Sequence, residues 1–125
     1  MPVKSYEDLA AWQRAMDLTT EVYSIVKFLP REETYALSDQ MRRAAVSIPS
    51  NIAEGQGRNS TREFIYFLSV ARGSINELKT QLQICVRLKY LSGAEAERAV
   101  ALCIETYKIL SGLISKLNTI LTQKK

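Results

Sequence analysis

At 125 residues, 46% of them apolar, the chain has the length and composition of one domain (1–125) that buries a single core without metal or disulfide staples. No run approaches the roughly 18 to 20 uninterrupted apolar residues of a membrane span, and Met1-Pro2-Val3-Lys4-Ser5-Tyr6-Glu7-Asp8 turns acidic without an apolar stretch; the expected location is the cytoplasm, with no membrane partner. The net charge of +4 is uneven, at −2 over residues 1–57, +4 over 58–91 and +2 over 92–125, a distribution that serves phosphate or acidic partners as readily as solubility.

Leu9, Trp12, Met16, Thr19, Tyr23 and Val26 recur at helical spacing and define the expected seam of a first helix over 6–29, with Ser5 and Asp8 as a capping box and Pro30 as its stop. A second helix is expected over 33–55, with Leu37, Met41, Ala44, Ala45, Ile48 and Ile52 on its stripe and Gly55 and Gly57 at its end. It carries a proline in its interior. Pro49 forfeits one backbone hydrogen bond and crowds the carbonyl four residues back, a cost of about 3 kcal/mol unless the surroundings compensate. Because Ile48 is a poor amino-terminal cap, the expectation is one continuous, kinked helix and not two.

Ser60-Thr61-Arg62-Glu63 is a capping box that opens a third helix over 60–91, with Phe64, Leu68, Ala71, Ile75, Leu78, Leu82 and Cys85 as its seam. Ser92 and Glu95 cap a fourth helix over 93–122, seamed by Ala96, Val100, Cys103, Tyr107, Leu110, Ile114, Leu117 and Leu121 and ending at a frayed Lys124-Lys125. Four helices on short connections give an all-α, antiparallel, up-and-down four-helix bundle. Two faces remain over. Tyr35, Val46, Pro49 and Ala53 form a second smooth face of helix 2, and Tyr66, Val70, Gly73, Ile84, Leu88 and Leu91 one of helix 3, so copies of the chain are expected to bury surface against each other. A thick, irregular core is the plainer alternative.

Catalytic chemistry finds little footing. With no histidine, the usual general base and the Ser-His and Cys-His pairs are excluded. Cys85 and Cys103 lack a second pair for metal and read as core residues, and Ser24-Ile25-Val26-Lys27 matches Ser-x-x-Lys without its companion motifs. No catalytic residue, metal ligand or cofactor is assigned. The cations give the better lead: Arg58, Arg62, Arg72, Lys79 and Arg87 fall within about 100° on the helix 3 wheel, a basic stripe suited to a phosphate backbone or simply to solvent. Arg43 shares a polar face with Ser47, Ser50 and Asn51, whereas Arg42 points toward the small-residue face and, if covered there, needs a carboxylate or helix-end carbonyls. Tyr66 and Tyr90 can stack on bases, although tyrosines beside a core more often pack.

The run Leu37-x-x-Gln40-Met41-Arg42-Arg43-Ala44-Ala45-Val46-Ser47-Ile48-Pro49-Ser50-Asn51-Ile52-Ala53-Glu54-Gly55, with Phe64-x-x-Phe67-Leu68 and Ala71-Arg72-Gly73-Ser74-x-x-Glu77-Leu78-x-x-Gln81-Leu82, resembles the four-helix-bundle proteins named after those encoded by intervening sequences in bacterial large-subunit ribosomal RNA genes. The resemblance implies a barrel-shaped homopentamer, and the surplus faces read above place Tyr35, Arg42, Val46, Pro49, Ala53, Tyr66, Val70 and Gly73 in its expected interface. A related, more divergent branch is the accessory variability determinant of diversity-generating retroelements, which implies RNA and a reverse transcriptase as partners; the cations read above, Arg43, Arg58, Arg62, Arg72, Lys79 and Arg87, are the residues expected on the nucleic acid. Ala36 and Lys89 stand where that family pattern often has glycine, which bears on the neighbouring helix ends. The leading expectation is a non-enzymatic basic oligomer that binds RNA or an RNA-containing complex; the alternatives are a protein scaffold without nucleic acid and an enzyme using pore carboxylates.

Overall fold

A computed structural model describes residues 5–123, in which four α-helices and no strands are formed: α1 Ala10–Ile25, α2 Leu37–Gln56, α3 Thr61–Arg87 and α4 Gly93–Gln123. Met1–Lys4 and the basic Lys124-Lys125 end lie outside the described residues. Each helix packs on its chain neighbours and α1 closes the ring against α4. The pairings run antiparallel. Met41 of α2 lies on Cys85 of α3 (Sγ to Sδ, 3.6 Å), while Ser47, one and a half turns further along α2, meets Ser74, three turns back along α3 (Oγ to Oγ, 2.9 Å). The result is an all-α four-helix bundle.

The core is aliphatic: Leu18, Met41, Ile48, Ile52, Leu68, Ile75, Leu78, Leu82, Leu91 and Leu110 are fully buried, each contributing about 1.5–3 kcal/mol of burial. The expected seam of α3 is buried from Leu68 to Cys85, with Gln81 as a buried polar addition; on α4, Ala96, Cys103, Leu110 and Ile114 are buried, but Val100, Tyr107, Leu117 and Leu121 are only half-buried and Ala99, Leu102 and Thr106 join the core. The seam of α1 is displaced. Ala11, Ala15, Leu18, Val22 and Ile25 face the core, whereas Met16 and Tyr23 are exposed and Leu9, Trp12 and Thr19 half-buried. Large side chains had marked the expected stripe, but small alanines let α1 approach α2 closely.

That closeness answers the proline. α2 runs unbroken through Pro49, and the Ala45 carbonyl, which an amide at position 49 would have bonded, accepts instead from Thr19 Oγ1 of α1 at 3.0 Å. The same hydroxyl lies 2.9 Å from the Ala15 carbonyl in its own helix, so one proton is shared between two acceptors. Ala45 is fully buried, and an unsatisfied carbonyl there would cost about 1–3 kcal/mol.

Four helix ends depart from expectation. Ser5 caps a 3₁₀ turn at Tyr6–Asp8, not α1 itself, and α1 gives way to a second 3₁₀ turn at Val26–Phe28 before Pro30. Residue 33 does not open α2, because Arg31–Glu33 forms a third 3₁₀ turn; the Glu33 carboxylate accepts from the Leu37 N–H (3.3 Å) with one oxygen and from the Tyr90 hydroxyl (2.9 Å) with the other. A single carboxylate thus caps α2 and ties it to the α3–α4 connection. Finally, α3 stops at Arg87 and not at 91: Lys89 adopts φ 64°, and the Tyr90 N–H reaches back to the Cys85 carbonyl (2.9 Å) in a Schellman closure. Leu91, expected on an outer face, is buried in the core beyond that turn.

Gly55 has a role other than helix termination. It is buried inside α2, and a Cβ there would sit 2.7 Å from the Phe67 Cβ and 3.3 Å from the Phe64 carbonyl oxygen. Gly55→Ala should therefore destabilise the protein by about 1–3 kcal/mol, whereas Lys89→Gly, which relieves a left-handed non-glycine residue, should stabilise it by about 1 kcal/mol. Urea unfolding of the two variants checks both, and the opposite signs are the diagnostic feature.

Candidate nucleic-acid interface

The basic stripe is real in its orientation but not continuous, because its members meet different surroundings. Arg58 lies in the α2–α3 connection, not on α3; it pairs with Glu54 at 2.7 Å and stands over the Phe67 ring at 4.8 Å. Arg62 is exposed in the first turn of α3, and Arg87 exposed in its last. Between them, Arg72 and Lys79 are half-buried and turn toward α4. Arg72 donates to Ser111 Oγ at 3.2 Å and lies 5.6 Å from the centre of the Tyr107 ring. Among the described residues, no ion pair engages Arg62, Arg72, Lys79 or Arg87.

Two hollows open along the α3–α4 groove, one on each side of the Arg72–Tyr107 contact. The first, about 580 Å³, is lined by Arg72 and by the hydroxyls and amides of Ser111, Ser115, Asn118, Thr119, Thr122 and Gln123, with Ile114 at its base. The second, about 190 Å³, has Ile75, Cys103, Ile104 and Tyr107 as its apolar walls, with Asn76, Lys79 and Lys108 among its lining residues. Neither contains a carboxylate. The polar ladder on α4 was not anticipated from the sequence; its signal is the i, i+4 and i, i+3 recurrence of Ser111, Ser115, Asn118 and Thr122 beside the apolar seam.

Arg43 stands apart from this groove, on α2, with an exposed guanidinium held by Asp39 at 2.9 Å. The expected interface residues divide in a similar way. Arg42 is half-buried and donates to the Thr34 carbonyl at 3.2 Å, the turn carbonyl that the chemistry of a covered arginine calls for. With Tyr23 and Val46 it lines a hollow beside α1. Val46 is 41% exposed and Ala53 half-buried, but Pro49 is buried against its own chain and so belongs to the monomer core and not to an outward face. Tyr35 precedes α2 and is 94% exposed. On α3, Tyr66 is 63% exposed and set edge-on to Phe67, Val70 is half-buried, and Gly73 faces open space.

No group of three or more His, Cys, Asp or Glu side chains among the described residues is arranged to hold a metal, and no described helix is long and apolar enough to cross a membrane. What the fold and groove define is an all-helical bundle whose α3–α4 groove holds two hollows lined by Arg72, Lys79 and Lys108 and by no carboxylate. The chain belongs to the 23S rRNA-intervening sequence protein family, whose pattern it matches over residues 7–112. Its fold is similar to that of a protein of unknown function from the S23 ribosomal protein family of Bacteroides thetaiotaomicron, solved at 1.70 Å: TM-score 0.78, 25% identity, with 84% of this chain and 98% of that one covered. A comparison with curated proteins gives no match.

Both thiols are buried and free. Burial pushes Cys103 up to about 12, with Lys79 drawing it part of the way back, and burial followed by the Glu33 charge pushes Cys85 up to about 11. The hydrogen bond to Glu33 likewise raises Tyr90. A group whose folded pKa is raised stabilises the fold fully below its unfolded value and loses that contribution as pH climbs through the folded one. Denaturation midpoints should accordingly be level with respect to these thiols up to the ordinary thiol value of 9.0 and fall as pH approaches 11 to 12. At neutral pH a thiol reagent should label neither cysteine until the protein is unfolded.

Proposed function

We propose that this protein is a non-enzymatic, cytoplasmic, oligomeric bundle that binds RNA or an RNA-containing complex along its α3–α4 flank. The observation that carries the reading is the groove itself: Arg72, Lys79 and Lys108 line it with no carboxylate among them, and a rigid helix about 40 Å long sets Arg62 and Arg87 at its two ends. Unneutralised cations at fixed spacing suit a phosphate backbone, where each contact releases counterions. The family name, which refers to an intervening sequence of 23S rRNA, supports the same class of partner.

Oligomerisation into a ring of five is the second part of the proposal. A closed ring needs two different complementary patches on each chain. The exposed Tyr23 and Val46 with Arg42 on the α1–α2 side, and the exposed Tyr66 and Ile84 on α3 with Leu88 just past its end, supply two such patches. Five copies also multiply a modest basic flank. In its narrowest form the proposal makes the partner a reverse transcriptase with its template RNA, as in a diversity-generating retroelement; co-purification with a reverse transcriptase encoded beside the gene tests that form.

Affinity for structured RNA should fall steeply with salt and vary little with sequence. Arg62→Glu, Lys79→Glu and Lys108→Glu together should abolish binding at low salt with helix content unchanged; Arg72 is left intact because it packs on Tyr107 and Ser111. Electrophoretic or anisotropy titrations read this directly. If the triple variant binds as tightly as the parent, the flank is a solvated face and the scaffold role replaces RNA binding. Light scattering should give five times the 14.1 kDa chain mass, and a monomer at tens of micromolar would contradict the ring.

A further inference from the structure

We infer that the smaller hollow of the α3–α4 groove is a seat for one unpaired nucleobase, so that the nucleic acid held by this flank is single-stranded where it crosses Tyr107. This rests on the RNA-binding role just proposed and adds what the groove recognises. The argument begins with size. At about 190 Å³ the hollow is well below the range of about 300–1,000 Å³ typical of small-molecule pockets, and suits a single flat ring.

Its walls have the matching chemistry. Ile104 gives apolar surface above the buried Ile75, and the half-buried Tyr107 gives an aromatic ring on which a base gains stacking energy whatever its identity. Asn76 places a side-chain amide, with both donor and acceptor groups, at the hollow, where a base edge presents the complementary pattern. Ile104 is 41% exposed and Asn76 exposed, so the hollow opens to solvent and an incoming base need not displace the core.

Charge fixes the orientation. Lys79 and Lys108, from opposite helices, are positioned for the phosphates on either side of the seated base, and Arg72 stands at the divide toward the larger hollow. Beyond Arg72 the strand meets hydroxyls and amides, groups that bond sugar and phosphate oxygens without reading sequence. A base in a duplex has both faces stacked and its edge paired, and so cannot enter. The groove therefore discriminates by strandedness, a property that a simple basic stripe lacks.

Anisotropy titrations with a short fluorescein-labelled RNA free of secondary structure, and with the same strand annealed to its complement, test the assignment. The single strand should bind about tenfold more tightly than the duplex at the same salt. Ile104→Trp, which fills the hollow at an exposed position without changing charge, should bring single-strand affinity down to the duplex level and leave duplex affinity alone. Asn76→Ala should leave the fold intact, as circular dichroism would show, and narrow the differences in affinity among homopolymeric strands. Equal binding of strand and duplex, or an Ile104→Trp variant that binds the single strand like the parent, overturns the base seat; if the Lys79→Glu, Lys108→Glu and Arg62→Glu substitutions still abolish binding in that case, the RNA-binding role stands without it. Failure of the parent to bind either probe at low salt overturns both.

Discussion

Pro49 removes a donor from the middle of α2, and the carbonyl it leaves without an amide partner is buried at the α1–α2 contact. The constraint on the fold is therefore specific: some other element must deliver a hydrogen-bond donor to the Ala45 carbonyl, and it must do so at about 3 Å across the α1–α2 contact. Thr19 does this from α1. To reach that carbonyl, α1 has to approach across small side chains, which is why Ala11 and Ala15 face the core while Met16 and Tyr23 are displaced outward. The proline thus sets the rotation of α1 and, through it, which side chains remain on the outer surface of the α1–α2 pair.

The other helix contacts carry comparable fixings. Gly55 lets α2 and α3 touch backbone to side chain at their connected ends, Ser47 and Ser74 bond across the middle, and Met41 packs on Cys85 toward the far end. Glu33 then joins the start of α2 to Tyr90. Together these ties place α3 firmly against α2 along its length. The α3–α4 contact is different in kind: it closes over Ile75, Cys103 and Leu110 but keeps an open outer groove whose polar lining comes mainly from α4. The flank proposed for nucleic acid is thus an outer groove above a closed helix contact.

Helix number and order, and the starts of α3 and α4, were legible because the capping boxes at Ser60 and Ser92 and the heptad-like seam of α3 are local signals, and the backbone obeys them. The seam of α1 was not, because residue size misleads when the contact wants small residues, and because Thr19, expected there as one member of an apolar seam, is placed instead by a carbonyl on another helix. Pro49 read as an outward residue on the helical wheel for the same reason: the wheel cannot know that α1 lies there. Lys89 shows the reverse case: helix 3 was expected to run through it to 91, yet the backbone turns there into the left-handed conformation although the residue is not glycine. For the site, charge and period found Arg72 and Lys79 but not their half-burial against Tyr107 and Ser111, which depends on how α3 and α4 are rotated about each other.

The most direct measurement of this arrangement is a double-mutant cycle between Thr19 and Pro49, read by urea unfolding. Thr19→Val keeps the shape and removes the hydroxyl, and should cost about 1–3 kcal/mol in the parent protein. In a Pro49→Ala background the restored amide can bond the Ala45 carbonyl itself, so the same Thr19→Val change should cost markedly less, a coupling of about 1 kcal/mol or more between the two sites. Equal costs in the two backgrounds would contradict the account, since Thr19 would then be a packing residue like its neighbours and the proline would be accommodated in some other way.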